Sequence, residues 1–353
     1  MKKAYLVLAD GTVFEGQSFG ASAEAMGEIT FVTSVVGYLE TLSDPANCGR
    51  IVVQTFPQIG NYGVIESDLA GECRPAGYVV RDWCTSPSNF RCEGDIDAFL
   101  KKEGIPGICG VDTRALTRHL RENGIMNAAI TEKIPDDLTA LCSFQSENPL
   151  SCIGRTEKEI CPAVGETKYS VSVLDYGCGC CLVPYLTEHG CAVTLLPYTA
   201  SAEEILDSAP DGVILSDGAG DPRENEAQIG VIRALFGKVP LMGVGLGHNM
   251  LALAAGNRVI KMRVGHHGSS YPVRDRTGSR TYLTAQNHAY EVDASSLTAG
   301  VLRYKNANDG GCEGIDYPDS RAFSVQFDPV LSAASRDTGA VMERFIRMMG
   351  GER

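Results

Sequence analysis

The sequence predicts an α/β protein in two parts: a mixed α/β segment followed by a doubly wound domain with a mainly parallel sheet. Three observations predict it. From Lys168 onward, short apolar runs alternate with helical patterns, the spacing of a parallel sheet covered by helices on both faces. Before about residue 140, β-patterned runs occur without that alternation. Between Val239 and Gly256, an apolar strand runs through a Gly-rich turn into a helix. A length of 353 residues accommodates two domains.

In the first part, strands are expected at Ala4–Leu8, Thr12–Glu15, Glu28–Thr33 and Arg50–Thr55, with Asp10-Gly11 as a hairpin turn after the first. Helical patterns fall at Ile96–Glu103 and Thr113–Asn123. The second has Asp112 as its N-cap and a stop at Asn123-Gly124. Residues 143–168 have no period and are rich in Ser, Asn, Pro, Glu, Lys and Gly, so they are expected to connect domains spanning 1–142 and 169–353. In the second domain, Tyr169–Leu174, Ala192–Leu196, Gly212–Leu215 and Val239–Gly243 are the expected strands. Helices are expected after Gly177, at Ala202–Ser208, at Glu224–Phe236 and after Gly245. Ligands of such sheets bind beyond the carboxyl ends of the strands, where Asp175, Ser216–Pro222 and Gly245 fall.

Composition narrows the function classes. A net charge of −13 argues against nonspecific binding to nucleic acid or anionic membrane. No apolar run approaches the roughly 20 residues of a membrane span, and the N-terminal apolar run is too short for a signal peptide. Thirteen cysteines without a secretion signal are expected as reduced thiols in a cytoplasm. Cys178-Gly179-Cys180-Cys181 suggests a metal, but His189 and Cys191 do not complete a zinc spacing; structural thiols are the expectation and no metal site is assigned. A Gly-x4-Gly-Lys-Ser/Thr phosphate loop is absent from the sequence.

The turn between Val239 and Gly256 reads Gly243-Val244-Gly245-Leu246-Gly247-His248-Asn249. A strand–turn–helix of this kind lifts one side chain at a helix N-terminus, where backbone N–H groups stabilise an oxyanion. This segment resembles the elbow of class I, triad-type glutamine amidotransferases, which carry Cys at the position of Gly245. The likeness extends from residue 4 to about 350, and the chain resembles the small subunit of carbamoyl phosphate synthetase. Phe31-x-Thr33-x-x-x-Gly37-Tyr38-x-Glu40-x-Leu42-x-Asp44-Pro45, Ile59–Gly63 and Asp112–Arg121 are similar to the N-terminal domain peculiar to that family. Leu215–Pro222, Gly265–Gly268, Gln286-Asn287-His288 and Phe323–Gln326 follow in order in the second half. The resemblance implies an amidotransferase-like second domain. It also implies a small subunit that hydrolyses glutamine and passes ammonia to a large subunit, and it puts ATP, Mg²⁺ and bicarbonate on that large partner.

The machinery for hydrolysis is degenerate. Glutamine hydrolysis is acyl transfer: a thiolate attacks the amide carbon, a His moves the proton, and a carboxylate orients the His. The family pattern Gln-x-His-Pro-Glu is Gln326-Phe327-Asp328-Pro329-Val330 here, so with Gly245 all three triad members are replaced. Gly245 offers no nucleophile, Asp328 is a weak base when ionised, and Val330 cannot orient a partner through a hydrogen bond. The glutamine pocket that the resemblance implies is altered too. Ala46 stands for Ser, Asn249 for Gln, and Ala289 and Tyr290 for Gly and Phe, whereas Gly218, Gly220, Leu246 and Asn287 are retained. Asp217 and Ala219 replace Asn and Pro in the Gly-rich loop, and Asp217 is expected to place a negative charge near the cleft mouth.

Three readings follow. The chain is a structural or regulatory subunit of an ammonia-using synthetase, without glutaminase activity; or a stand-alone small-molecule binding pseudoenzyme reusing the cleft; or a glutaminase with a displaced nucleophile, Cys178, Cys180 or Cys181. The pathway served, arginine or pyrimidine biosynthesis, is left open by the sequence.

Overall fold

A computed structural model describes residues 2–72, 75–330 and 335–351, the side chains at 335–337 excepted. Met1 and residues 73–74, 331–334 and 352–353, which fall inside the expected domain spans, lie outside the described residues. The chain forms two compact units, one of residues 1–147 with 263–267, the other of 148–262 with 268–353.

In the first unit the β-patterned runs close into a barrel. Around it run Lys3–Leu8, Val13–Gly20, Pro106–Cys109, Gly77–Val79, Ile51–Gln54, Ala25–Val32 and Asn127–Thr131. Pairing is parallel among Ala25–Val32, Ile51–Gln54, Gly77–Val79 and Pro106–Cys109 and antiparallel elsewhere. Alternate residues fill the interior: Leu6, Leu8, Ile29, Phe31, Ile51, Val53, Val79, Ile108, Ala128 and Ile130 are buried together. The helix Thr113–Asn123 adds Leu116 and Leu120 to that core, one turn apart on its buried face. Its boundaries follow from its caps. The Asp112 carboxylate accepts from Ala115 N at 3.0 Å, and Gly124, at φ +92°, ends it. The outer strand face packs Val52, Tyr78 and Phe19 against Leu39, Leu42, Phe99 and Leu100.

The second unit carries a ten-stranded sheet with five parallel strands at its centre, in the order Cys191–Leu196, Tyr169–Leu174, Gly212–Leu215, Leu241–Val244, Ala322–Val325. Successive residues face opposite sides. Val213, Leu215 and Leu241 pack with the helices Ala202–Asp207, Glu226–Leu235 and Leu246–Ala254, whereas Val173, Ile214 and Met242 pack with Leu182–Glu188 and Ser335–Met349. This is the doubly wound arrangement expected from the alternation. Two features went unread in the sequence. The stretch 143–168 contains a helical turn, Leu150–Ile153, and an edge strand, Glu159–Cys161, antiparallel to Cys191–Leu196. Beyond Ala322–Val325 the sheet continues antiparallel through Cys312–Tyr317 and Val301–Asn306. The first two elements, of four and three residues, are too short to display a period.

The Asp112→Ala variant is expected to lose about 1 kcal/mol of stability in urea unfolding, because the orphan N–H of Ala115 loses its acceptor. An unchanged midpoint and slope would show that this cap does not hold the helix.

Candidate functional site: a filled nucleophile elbow

The strand Leu241–Val244 ends at Gly245, and the helix Leu246–Ala254 begins immediately after it. Gly245 has φ +51° and ψ −109°, a conformation that strains any residue with a Cβ and that glycine adopts freely. The turn is anchored on both sides: Gly245 N donates to Val325 O at 3.0 Å and Gly247 N donates to Ser216 O at 3.1 Å. Gly247 has no room for a side chain, since a Cβ there would overlap the backbone of Leu215. The strand-to-helix turn is therefore that of an elbow, with nothing at its apex.

The apex is instead occupied from the neighbouring strand. Leu215 pairs with Gly243 in parallel register, so the residues two positions further on, Asp217 and Gly245, lie side by side beyond the strand ends. The Asp217 Oδ1 atom accepts from Gly218 N at 2.7 Å and from Leu246 N at 2.8 Å. Leu246 N is the amide directly after the nucleophile position, at the positive end of its helix. A Cβ on Gly245 would lie no more than 2.6 Å from all three terminal atoms of that carboxylate. The charge expected at the cleft mouth is thus seated on the elbow amides.

Asp328 and Val330, expected as the other two triad positions, satisfy each other locally. Asp328 Oδ1 accepts from Val330 N at 2.7 Å, an Asx turn, and Asp328 N donates to Ala285 O at 3.0 Å. Val330 packs against the apolar core between the sheet and Ser335–Met349. His248, beside the elbow, is fully buried, with Nδ1 at 2.7 Å from Ser324 Oγ. Burial holds its pKa down at about 3, so it is neutral. The cysteine segment follows the strand Tyr169–Leu174, as expected. Burial raises the Cys178 thiol well above its usual range, and the carboxylates of Asp175, Asp328 and Asp217 raise it further. Cys181 is raised chiefly by its hydrogen bond with Cys180, whose sulfur lies 3.5 Å away. These surroundings disfavour the thiolates a displaced nucleophile needs.

Of the pocket positions in the second unit, several converge on the elbow. Gly218 has no space for a Cβ between Tyr176 O and Leu246. Gly220, at φ +98°, closes against Pro149. Asn249 Nδ2 donates to Gln326 Oε1 at 3.0 Å and to Gly245 O at 3.3 Å, while Asn249 Oδ1 and Gln326 Nε2 are buried with no partner among the described residues. Asn287, Ala289 and Tyr290 lie on the strand Thr281–Val292, which contacts the elbow helix. Ala289 is buried, and the Tyr290 ring lies under the Arg223 and Lys261 cations at 5.5 and 6.0 Å. Arg223 is held in turn by a bidentate pair with Asp221. Ala46 belongs to the first unit, where it is buried in the 3₁₀ turn Pro45–Asn47.

Residues 6–130 match the family model described as carbamoyl-phosphate synthase small chain, CPSase domain, and residues 172–348 match glutamine amidotransferase class-I. A carbamoyl phosphate synthase small chain from Bacillus caldolyticus is 40% identical over 353 residues, covering 98% of this chain and 96% of its own. This chain belongs to the carbamoyl phosphate synthase small-chain family. A carbamoyl phosphate synthase pyrimidine-specific small chain from Halalkalibacterium halodurans is 40% identical, with 98% and 97% of the two chains covered. A small chain from Methanopyrus kandleri is 39% identical, with 98% and 99% covered.

What sequence reasoning missed about this family member's site is the partner of Gly245. The signal was present as a paired oddity, an acid in the Gly-rich loop and a glycine at the apex. Only the register of two neighbouring strands makes them one feature.

Neutral burial of His248 carries a pH signature. Its folded pKa of about 3 lies below the unfolded value near 6.5, so the unfolded chain binds the extra proton between them. The resulting stability is complete above about pH 6.5 and is lost as pH falls toward 3. From pH 7 to 5 this residue accounts for a loss of about 2 kcal/mol. His248→Gln is expected to remove that component from the urea-unfolding pH profile; parallel profiles for the two proteins would contradict it.

Proposed function

We propose that this chain is a small subunit that does not hydrolyse glutamine. It acts as a structural and regulatory subunit of an ammonia-using carbamoyl phosphate synthetase. The observation that carries this reading is the elbow: its nucleophile position is Gly245, and the Asp217 carboxylate stands where the nucleophile's Cβ would be. Acyl transfer needs an attacking atom, a base and an open oxyanion hole. The base position holds Asp328 in a local turn, and the amides of Gly218 and Leu246 already bind an acceptor. Cys178 and Cys181, whose thiols are both pushed up, are poor replacements.

Likeness to complete small chains over 98% of the sequence supports a role beside a large subunit, which in this reading binds ATP, Mg²⁺ and bicarbonate. The relative named pyrimidine-specific supports pyrimidine biosynthesis as one setting, with arginine biosynthesis as the other. No helix among the described residues is long and apolar enough to cross a membrane, which is compatible with a cytoplasmic complex.

The purified chain is expected to release no glutamate from glutamine above a protein-free control, and Gly245→Cys alone is expected to leave it inactive. Glutamate release abolished by a thiol reagent would overturn the reading in favour of a displaced nucleophile. A tagged chain from the native host is expected to co-purify in equal amount with an ATP-using large subunit. That complex should make carbamoyl phosphate from ammonia and not from glutamine. Isolation of the chain without that subunit under mild conditions would favour a stand-alone binding protein.

A further inference from the structure

We infer that the elbow of this chain is a built carboxylate-binding cradle whose permanent ligand is its own Asp217, and that this ligand is what requires glycine at position 245. The inference deepens the non-hydrolysing reading above by naming what occupies the site. Two N–H groups from different segments, Gly218 and Leu246, converge on one oxygen, Asp217 Oδ1, at 2.7 and 2.8 Å. One of them opens the nine-residue helix Leu246–Ala254, so the helix dipole adds to the attraction for a negative group. Two amides directed at one oxygen are what an oxyanion hole presents to a tetrahedral intermediate. Here the oxygen is supplied by a tethered side chain, and a ligand carbonyl must displace it against a high effective concentration.

The cradle and the apex residue exclude one another sterically. A Cβ at position 245 would overlap the Asp217 carboxylate, and with φ at +51° that position is strained for any side chain. A nucleophile and the seated Asp217 cannot coexist in this arrangement. Restoring Cys, His and Glu at 245, 328 and 330 therefore also requires a change at Asp217, because the new Cβ overlaps its seated carboxylate.

The test is a stability cycle on the full chain with wild type, Asp217→Ala, Gly245→Ala and the double variant. Gly245→Ala is expected to lower Tm much more in the wild-type background than in the Asp217→Ala background, where only the backbone strain remains. Asp217→Asn keeps the bulk, so in that background Gly245→Ala should stay as costly as in wild type; this variant carries the test should Asp217→Ala fail to fold. Sodium formate, titrated against sodium chloride at equal ionic strength, is expected to raise the Tm of Asp217→Ala saturably by a few degrees and to leave wild type unmoved. Additive losses in the cycle, or the same formate response in both proteins, would overturn the inference. The glutamate-release assay is a separate readout. A coupled cycle in a chain that releases glutamate would sink the non-hydrolysing reading alone, and additive losses in a silent chain would sink this inference alone.

Discussion

The acceptance of two backbone N–H groups by one oxygen of Asp217 is the constraint around which the second unit's site is arranged. It ties the loop after Gly212–Leu215 to the start of the helix Leu246–Ala254, joining two neighbouring parallel strands beyond their carboxyl ends. Without it, Leu246 N at the helix start and Gly218 N in the loop would lose this acceptor, and leaving such groups unmet costs free energy. In an active elbow, water and then substrate meet them in turn. Here Asp217 satisfies both, and in the proposed reading it fills the vacancy that catalysis would require.

The surrounding substitutions follow the same logic. A catalytic elbow holds a side-chain-bearing residue in a strained backbone conformation, a cost retained for function. Gly245 keeps the conformation and relieves the strain. Asp328 and Val330, where a proton-transfer pair would stand, form a local turn with an apolar anchor in the core. His248 is neutral, buried and bonded to Ser324, so it contributes to packing and offers no base. The fold survives these changes because the elbow's architecture rests on close backbone approach at Gly247 and on interstrand register, neither of which depends on the triad.

Much of this was legible in the sequence, for particular reasons. The helix Thr113–Asn123 announced itself by its Asp112 cap, its buried stripe and its terminal glycine, and it forms at those residues. The strand Gly212–Leu215 was equally plain, because burial on both faces leaves an uninterrupted apolar run, and Tyr169–Leu174 showed through Val171, Val173 and Leu174. Barrel closure in the first unit was not legible: closure is a property of long-range pairing, and two of its strands, Gly77–Val79 and Pro106–Cys109, are only three and four residues long. At the site, the missing nucleophile could be read from one position. The occupant of its place could not, since Asp217 and Gly245 are far apart in the chain and meet only through strand pairing.

The most direct measurement is a crystal structure of the chain at about 1.5 Å, grown in excess glutamine, with the density at the elbow as the readout. The account predicts Asp217 Oδ1 within hydrogen-bond distance of both Gly218 N and Leu246 N, with no glutamine-derived density on those amides. A carboxylate rotated away from the elbow, with a glutamine carbonyl or a bound water on the two N–H groups, would contradict it.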